Sequence, residues 1–211
     1  MKEVVLALDL STTCTGWSLF SLESKALLEY GCIQPRVKNP IVKKKPTYRY
    51  PIFQALKIKD IVEQILELIQ KYDPKVLAIE EVVSHKSRLT GKVLDGLHFV
   101  LVDRLISYPG DLFYVDVSGT YGWRPFFGIK LSAQDKLLNT DRKKLNKKLR
   151  GKDKLPIIDW KTLSSRFVND RFKLTLDPLV NSSHGDMADS IMVGLYYLEA
   201  GEDGRYVSTG E

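Results

Sequence analysis

Hydrophobic positions fall into blocks whose periods separate strands from helices. Glu3 to Leu10 reads Glu-Val-Val-Leu-Ala-Leu-Asp-Leu, apolar at consecutive rather than alternate positions, which predicts a central strand covered on both faces. Segments 15–21 and 27–35 read as two further strands of an antiparallel meander, separated by short polar turns. Residues 39–51 form a basic, proline-punctuated loop. In 52–72, Ile58, Ile61, Val62, Ile65, Leu68, Ile69 and Tyr72 share one stripe at helical spacing, and Asp73-Pro74 ends the helix. Residues 76–79 are a short buried strand running into Glu80-Glu81. A helix leading into a strand through so tight a turn predicts a crossover and a parallel partner for the first strand.

Further along, 89–106 reads as a helix with Val93, Leu97, Val100, Leu101 and Leu105 inward, broken by Pro109-Gly110. Segment 112–117 is a strand. Residues 123–129 are apolar and aromatic with no assignable period. Segment 136–154 is basic, with some helical spacing and little apolar face, so a protruding helix and a disordered arm both fit. Residues 159–172 form a helix with Asp159 as its cap, and 186–198 the last helix. Together these predict an α/β fold: a mixed five-stranded sheet, a three-strand meander plus two parallel strands, with helices on both faces. One domain spans 1–200, carries a basic insertion at about 132–156, and is followed by a flexible tail, 201–211.

Composition narrows the partners. The chain has 211 residues, 44% of them hydrophobic, enough for one full core. No apolar run approaches the roughly 20 residues of a membrane span. The chain enters a strand at once, so no signal peptide is expected. Two cysteines, Cys14 and Cys32, fit a reduced, cytoplasmic setting better than a disulfide framework. The formal net charge of +6 points to a polyanion. Its basic residues concentrate in Lys43, Lys44, Lys45 and Arg49, interleaved with Tyr48 and Tyr50, and in a second run that includes Lys143, Lys144, Lys147 and Lys148. Solvated surface explains such runs, and so does a nucleic-acid contact that pairs phosphates with stacking.

Acids stand where apolar elements end. Asp9 closes the first strand, Glu80 closes the fourth, and Asp186 and Asp189 open the last helix. Each has a local explanation. Asp9 before Ser-Thr suits a turn or cap, Asp186 and Asp189 suit a helix N-terminus, and Glu80 or Glu81 could pair with Arg88. If the first and fourth strands are parallel neighbours, however, Asp9 and Glu80 leave the sheet on one edge, and the helix pair can dock above them. Four adjoining carboxylates cannot all stay ionised without cations. Mg²⁺ takes oxygen ligands and keeps waters for substrate phosphates. Two such ions stabilise the attacking and leaving oxygens of a phosphodiester.

These motifs resemble the RuvC-type Holliday junction resolvases of the ribonuclease H-like superfamily, in a phage-like branch. The resemblance rests on Leu-Ala-Leu-Asp9 followed by Thr15-Gly16-Trp17, on Tyr30-Gly-Cys-Ile33, on Val-Leu-Ala-Ile-Glu80, and on Asp186-Met-Ala-Asp189-Ser. It implies a structure-selective endonuclease cutting four-way DNA junctions to leave 5′-phosphates. Asp9, Glu80, Asp186 and Asp189 would be catalytic ligands of two Mg²⁺ ions, with Mn²⁺ as a substitute, and Lys161 the family's catalytic basic residue at the scissile phosphate, although an ordinary first-turn surface lysine also accounts for it. A homodimer would present two sites to branched DNA in a bacterial or phage-infected cell, with no membrane and no small-molecule cofactor. Its dimer face would include the 89–106 helix, with His98 and Phe99 as candidates, although core burial also accounts for Phe99. Lys86, Arg88 and Arg124 join the basic residues expected on DNA. His184 is at most an outer neighbour of the acids. The family's aromatic wedge, three residues beyond the strand Glu, is replaced here by Val83.

Other readings use the same residues. Asp-Leu-Ser-Thr-Thr-x-Thr-Gly also looks like the phosphate loop of actin-like sugar kinases, but a second lobe and a second glycine-rich motif are missing. A ribonuclease H-like enzyme for RNA–DNA hybrids or flaps, or a DNA-binding protein with a dead site, are the remaining alternatives.

Overall fold

A computed structural model describes residues 3–42, 45–81, 88–115, 122–200 and 206–207. In chain order the elements are β1 (Val4–Asp9), β2 (Thr15–Ser21), β3 (Leu27–Ile33), the two-residue strands β4 (Ile41–Val42) and β5 (Lys45–Pro46), α1 (Ile52–Tyr72), β6 (Val76–Glu80), α2 (Arg88–Leu105), β7 (Asp111–Val115), α3 (Trp123–Phe126), α4 (Ala133–Asn146), α5 (Trp160–Phe172), α6 (Ser183–Ala200) and β8 (Tyr206–Val207). The main sheet runs β3-β2-β1-β6-β7-β8. Its first three strands are the antiparallel meander, and β6 and β7 continue parallel to β1. The five expected strands are therefore present. A sixth, two-residue strand joins antiparallel to β7, within the segment expected to be a free tail.

Side-chain alternation divides the sheet between two cores. Val4, Leu6 and Leu8 of β1, with Leu77 and Ile79 of β6, face α1 and α2 through Ile61, Val62, Ile65, Leu97 and Leu101. Val5 and Ala7, with Val76 and Ala78, face α6 through Ala188, Ile191, Met192 and Leu195. Asp9 and Glu80 follow Ala7 and Ala78 in the same alternation. Parity alone therefore assigns both acids to the α6 face. The register pairs Leu8 with Ile79, so the two acids are neighbours one step further on.

Close approach by α6 requires small residues beneath it. Gly16, opposite Asp9 in the β1–β2 ladder, lies under the start of α6, and a Cβ there would fall 1.9 Å from the Asp186 carbonyl oxygen. Near the other end, a Cβ on Gly194 would meet the Phe20 ring at 2.6 Å and the Ala7 Cβ at 3.1 Å. Ser18 adds a buried hydroxyl that donates to the Ser190 carbonyl at 2.9 Å.

Several local expectations change. Helix α2 buries Leu97, His98, Leu101 and Leu105, but Val100 faces outward. The face that carries Leu97 and Leu101 enters the core shared with α1 and the sheet, and Val100 lies off that face. Phe99 is 75% exposed, so core burial does not explain it. His98 is buried against the Tyr114 ring, 6.0 Å between centroids, and is no surface candidate. Burial also lowers its pKa to about 4, which keeps it neutral. Segment 123–129 contains the one-turn helix α3. Helix α6 begins three residues before Asp186, where the Asn181 side chain accepts from the Ser183 amide and hydroxyl.

The basic insertion is an ordered helix rather than a loose arm. Ser132 and Asp135 form a reciprocal capping box at the start of α4. Asn139 exchanges two 2.8 Å hydrogen bonds with the backbone of Ile158. Asn146 does the same with Leu155 at 2.8 and 2.7 Å, and Arg142 donates to the Pro156 carbonyl at 2.6 Å. Side-chain amides thus read an extended strand of backbone, and so hold α4 with little apolar burial.

Gly16→Ala should force α6 off the sheet. We expect a loss of about 3 kcal/mol or more in chemical denaturation, because backbone rather than a flexible side chain fills the space.

Candidate active site

Four acids reach one rim from three elements. Asp9 and Glu80 end adjacent parallel strands and are half-buried, whereas Asp186 and Asp189 on α6 are 8% and 2% exposed. A side-chain hydrogen bond links Asp9 to Glu80. Trp123 of α3 donates its indole N–H to Glu80 Oε1 at 3.3 Å.

Two cations flank the acids. Lys161, in the first turn of α5, pairs its ammonium with Asp186 Oδ1. Close packing delivers it, since a Cβ on Gly185 would strike the Lys161 stem at 2.7 Å. Asp159 accepts from the Thr162 amide at 2.9 Å and fixes the start of that helix. Arg124 is only 21% exposed in its side chain. Its Nη2 lies 4.0 Å from Asp189 Oδ2. The guanidinium carbon is 4.8 Å from the Trp123 ring centroid and 5.5 Å from that of Trp160, so two indoles flank it. The sequence grouped Arg124 with general DNA contacts, but the structure places it among the acids. No periodic signal marked α3, so Trp123 was not foreseen as a Glu80 partner.

Crowding shows in the acidities. Burial, then the neighbouring Glu80, raises the Asp9 carboxyl well above its ordinary range, with Lys161 opposing and Asp186 adding. Asp189 is pushed up to about 7 by burial and by Asp9, against Lys161, Ser164 and Arg124. Glu80 is raised by burial, although its bond with Asp9 pulls the other way, and Asp189 raises it further. Burial works against the charge on Lys161, but Asp9, Asp189 and Asp186 outweigh it and hold its pKa above the lysine range. Cys14 also borders the site. Burial, then the Asp186 charge, pushes its thiol upward, and Cys32 is its neighbour.

Fully ionised, the four carboxylates exceed the two cations by two negative charges, the charge of one divalent ion. The oxygens are hard donors suited to Mg²⁺, and Asp189 Oδ1 is buried with no hydrogen-bond partner. The donor set therefore fits a divalent cation. As they stand, the described residues contain no ready-made cage of three or more ligands, and Lys161 takes up the Asp186 carboxylate.

Other candidates are more dispersed. His184 Nδ1 accepts from the Asp177 amide at 3.0 Å and ties down the loop before α6. Tyr48 is 38% exposed, and its backbone is held by both ends of the Asn39 amide. Arg49, Arg88, Lys143, Lys144, Lys147 and Lys148 are exposed, with Lys144 3.6 Å from Asp141. Lys43, Lys44, Val83 and Lys86 lie outside the described residues, as does the Lys45 side chain. Among the described residues no helix is long and apolar enough to cross a membrane.

A raised carboxyl binds its proton more tightly folded than unfolded, so the stability it contributes is lost as pH rises. For Asp189 that window runs from about 4 to about 7. We expect the metal-free protein in EDTA to melt at a lower temperature at pH 8 than at pH 5. Mg²⁺ should raise Tm at pH 8 and have little effect at pH 5, and Asp189→Asn should flatten the pH dependence.

No protein-family model matches this sequence, and no curated protein sequence matches it significantly. Solved structures do. RuvC of Thermus thermophilus in complex with a Holliday junction substrate superposes with a TM-score of 0.54 at 12% identity, over 97% of this chain and 99% of that one. A second Thermus thermophilus RuvC structure gives 0.53 at 14% identity, with the same coverage. The six-stranded arrangement with helices on both faces is therefore the ribonuclease H-like fold seen in RuvC.

Proposed function

We propose that this protein is a metal-dependent endonuclease that cuts four-way DNA junctions. A shared fold alone does not carry this reading. The observation that carries it is the convergence of Asp9, Glu80, Asp186 and Asp189 with Lys161 at the end of the central parallel strands. The RuvC structure of similar fold holds a Holliday junction, which makes branched DNA the substrate to test first.

Asp9, Glu80, Asp186 and Asp189 would hold Mg²⁺ or Mn²⁺, as two ions when substrate is present. Such ions lower the pKa of a water for attack on phosphorus and stabilise the departing 3′-oxygen, leaving a 5′-phosphate. With Asp186 among the residues that would hold the metal, the Lys161 ammonium beside it would offset charge on the phosphoryl oxygens. Arg124 stays beside Asp189, held between two indoles, and lowers the cost of gathering the acids. The exposed lysines of α4, together with Lys43, Lys44, Lys45, Tyr48, Arg49, Lys86 and Arg88, would track the DNA backbone. A symmetric homodimer would present two such sites to opposing strands. The outward arc of α2, with Leu89, Phe99 and Val100 exposed, is the surface for it.

Hybrid or flap cleavage by the same acids is the second reading. A side-by-side assay of junction, flap and RNA–DNA hybrid distinguishes the two, since the junction should be cut fastest and in symmetric pairs.

Asp9→Asn should abolish cleavage in Mg²⁺, a loss of at least three orders of magnitude in rate, while junction binding in a gel-shift assay persists. Cleavage at the wild-type rate would overturn the metal-site assignment. Replacing Lys143, Lys144, Lys147 and Lys148 by Ala should weaken binding to all DNA sequences alike. The salt dependence of affinity should become shallower by up to about 0.9 for each phosphate contact removed.

A further inference from the structure

We infer that Trp160 is a stacking platform for an unpaired base beside the phosphate to be cut. The inference rests on the nuclease reading above and names the feature of the substrate that the site would recognise.

Three tryptophans are present. Trp17 and Trp123 are buried, but Trp160 is 45% exposed. Leaving so much indole in water is unfavourable, and the core does not need it. Its position is well determined nonetheless. Trp160 opens α5 directly after the Asp159 cap, its carbonyl accepts from the Ser164 hydroxyl at 3.0 Å, and Ile158 just before it is tied to α4 by Asn139. The ring therefore sits on a rigid mount.

Its surroundings select the ligand. Trp160 precedes Lys161, which reaches the acids, and its ring lies 5.5 Å from the Arg124 guanidinium. Arg124, 4.0 Å from Asp189, joins the Trp160 ring to the border of the acid cluster. An aromatic surface flanked by fixed cations suits a nucleobase with its phosphate, each contact reinforcing the other. Within a stacked duplex both faces of every base are covered. Only a base freed at a branch or distortion can present one, and extracting a paired base costs a few kcal/mol. Trp160 would therefore favour branched over regular DNA.

Intrinsic fluorescence tests this directly, because iodide reaches only the exposed indole. In EDTA, a four-way junction should protect wild-type emission from iodide, and an unbranched duplex bound to the same extent should not. A 2-aminopurine at the crossover should lose emission on binding wild type but not Trp160→Leu. In Mg²⁺, Trp160→Leu should cut the junction roughly 5- to 100-fold more slowly, with duplex affinity unchanged, and Trp160→Phe should recover most of the rate. Undiminished iodide quenching on the junction, or equal cleavage by Trp160→Leu, would overturn the inference while leaving the nuclease reading intact. Loss of the Mg²⁺-induced rise in Tm in Trp160→Leu would also overturn it, since Trp160 would then act by packing on Arg124. Failure of the wild type to cleave any branched DNA would instead remove the nuclease reading itself.

Discussion

Electrostatic repulsion among Asp9, Glu80, Asp186 and Asp189 is the constraint that the neighbouring structure answers. Three of the four are raised by burial and by one another, so the chain spends folding energy to bring them together. Compensation comes from opposite sides, with Lys161 on Asp186 and Arg124 beside Asp189. It is incomplete, and the buried, partnerless Asp189 Oδ1 marks where it stops. A site tuned this way would gain stability from a bound divalent cation, which would couple folding to metal.

Geometry that serves this site runs through the whole α6 face. Ala7, Ala78, Gly16 and Gly194 are small because α6 lies directly against β1 and β2. On the opposite face Leu6, Leu8, Leu77 and Ile79 meet the large apolar residues of α1 and α2. One face of the sheet is therefore organised for ordinary packing and the other for close approach. Alternation along β1 and β6 carries the distinction to its end, where the next residues of that parity are the acids.

Outside the core, polar ties replace apolar burial. Helix α4 is held to the 155–158 segment by Asn139, Asn146 and Arg142, and to α5 by the Arg166–Asp135 pair at 3.0 Å. This leaves its lysines exposed at the surface. It also links the insertion rigidly to the start of α5, which carries both Trp160 and Lys161.

Much of this was legible in the residues. Period-two and period-3.6 patterning gave the meander, the crossover and the four long helices, because burial on sheet and helix faces leaves a strong imprint. The strand-end acids stood out because a carboxylate is rare at the end of so apolar a run. Chemistry that depends on neighbours remote in sequence was not legible. The ordered state of α4 rests on amide-to-backbone bonds that leave no hydrophobic period. The outward turn of Phe99 and the burial of His98 follow from which arc of α2 meets the core, His98 lying against Tyr114. Arg124 read as one more basic residue until α3 set it between Trp123 and Trp160. The linear chain thus determined the five main strands, the four long helices and most of their inward faces, since that is local alternation of polarity. Only tertiary packing decided which charges meet, because Coulomb and desolvation energies depend on distances that no sequence spacing fixes.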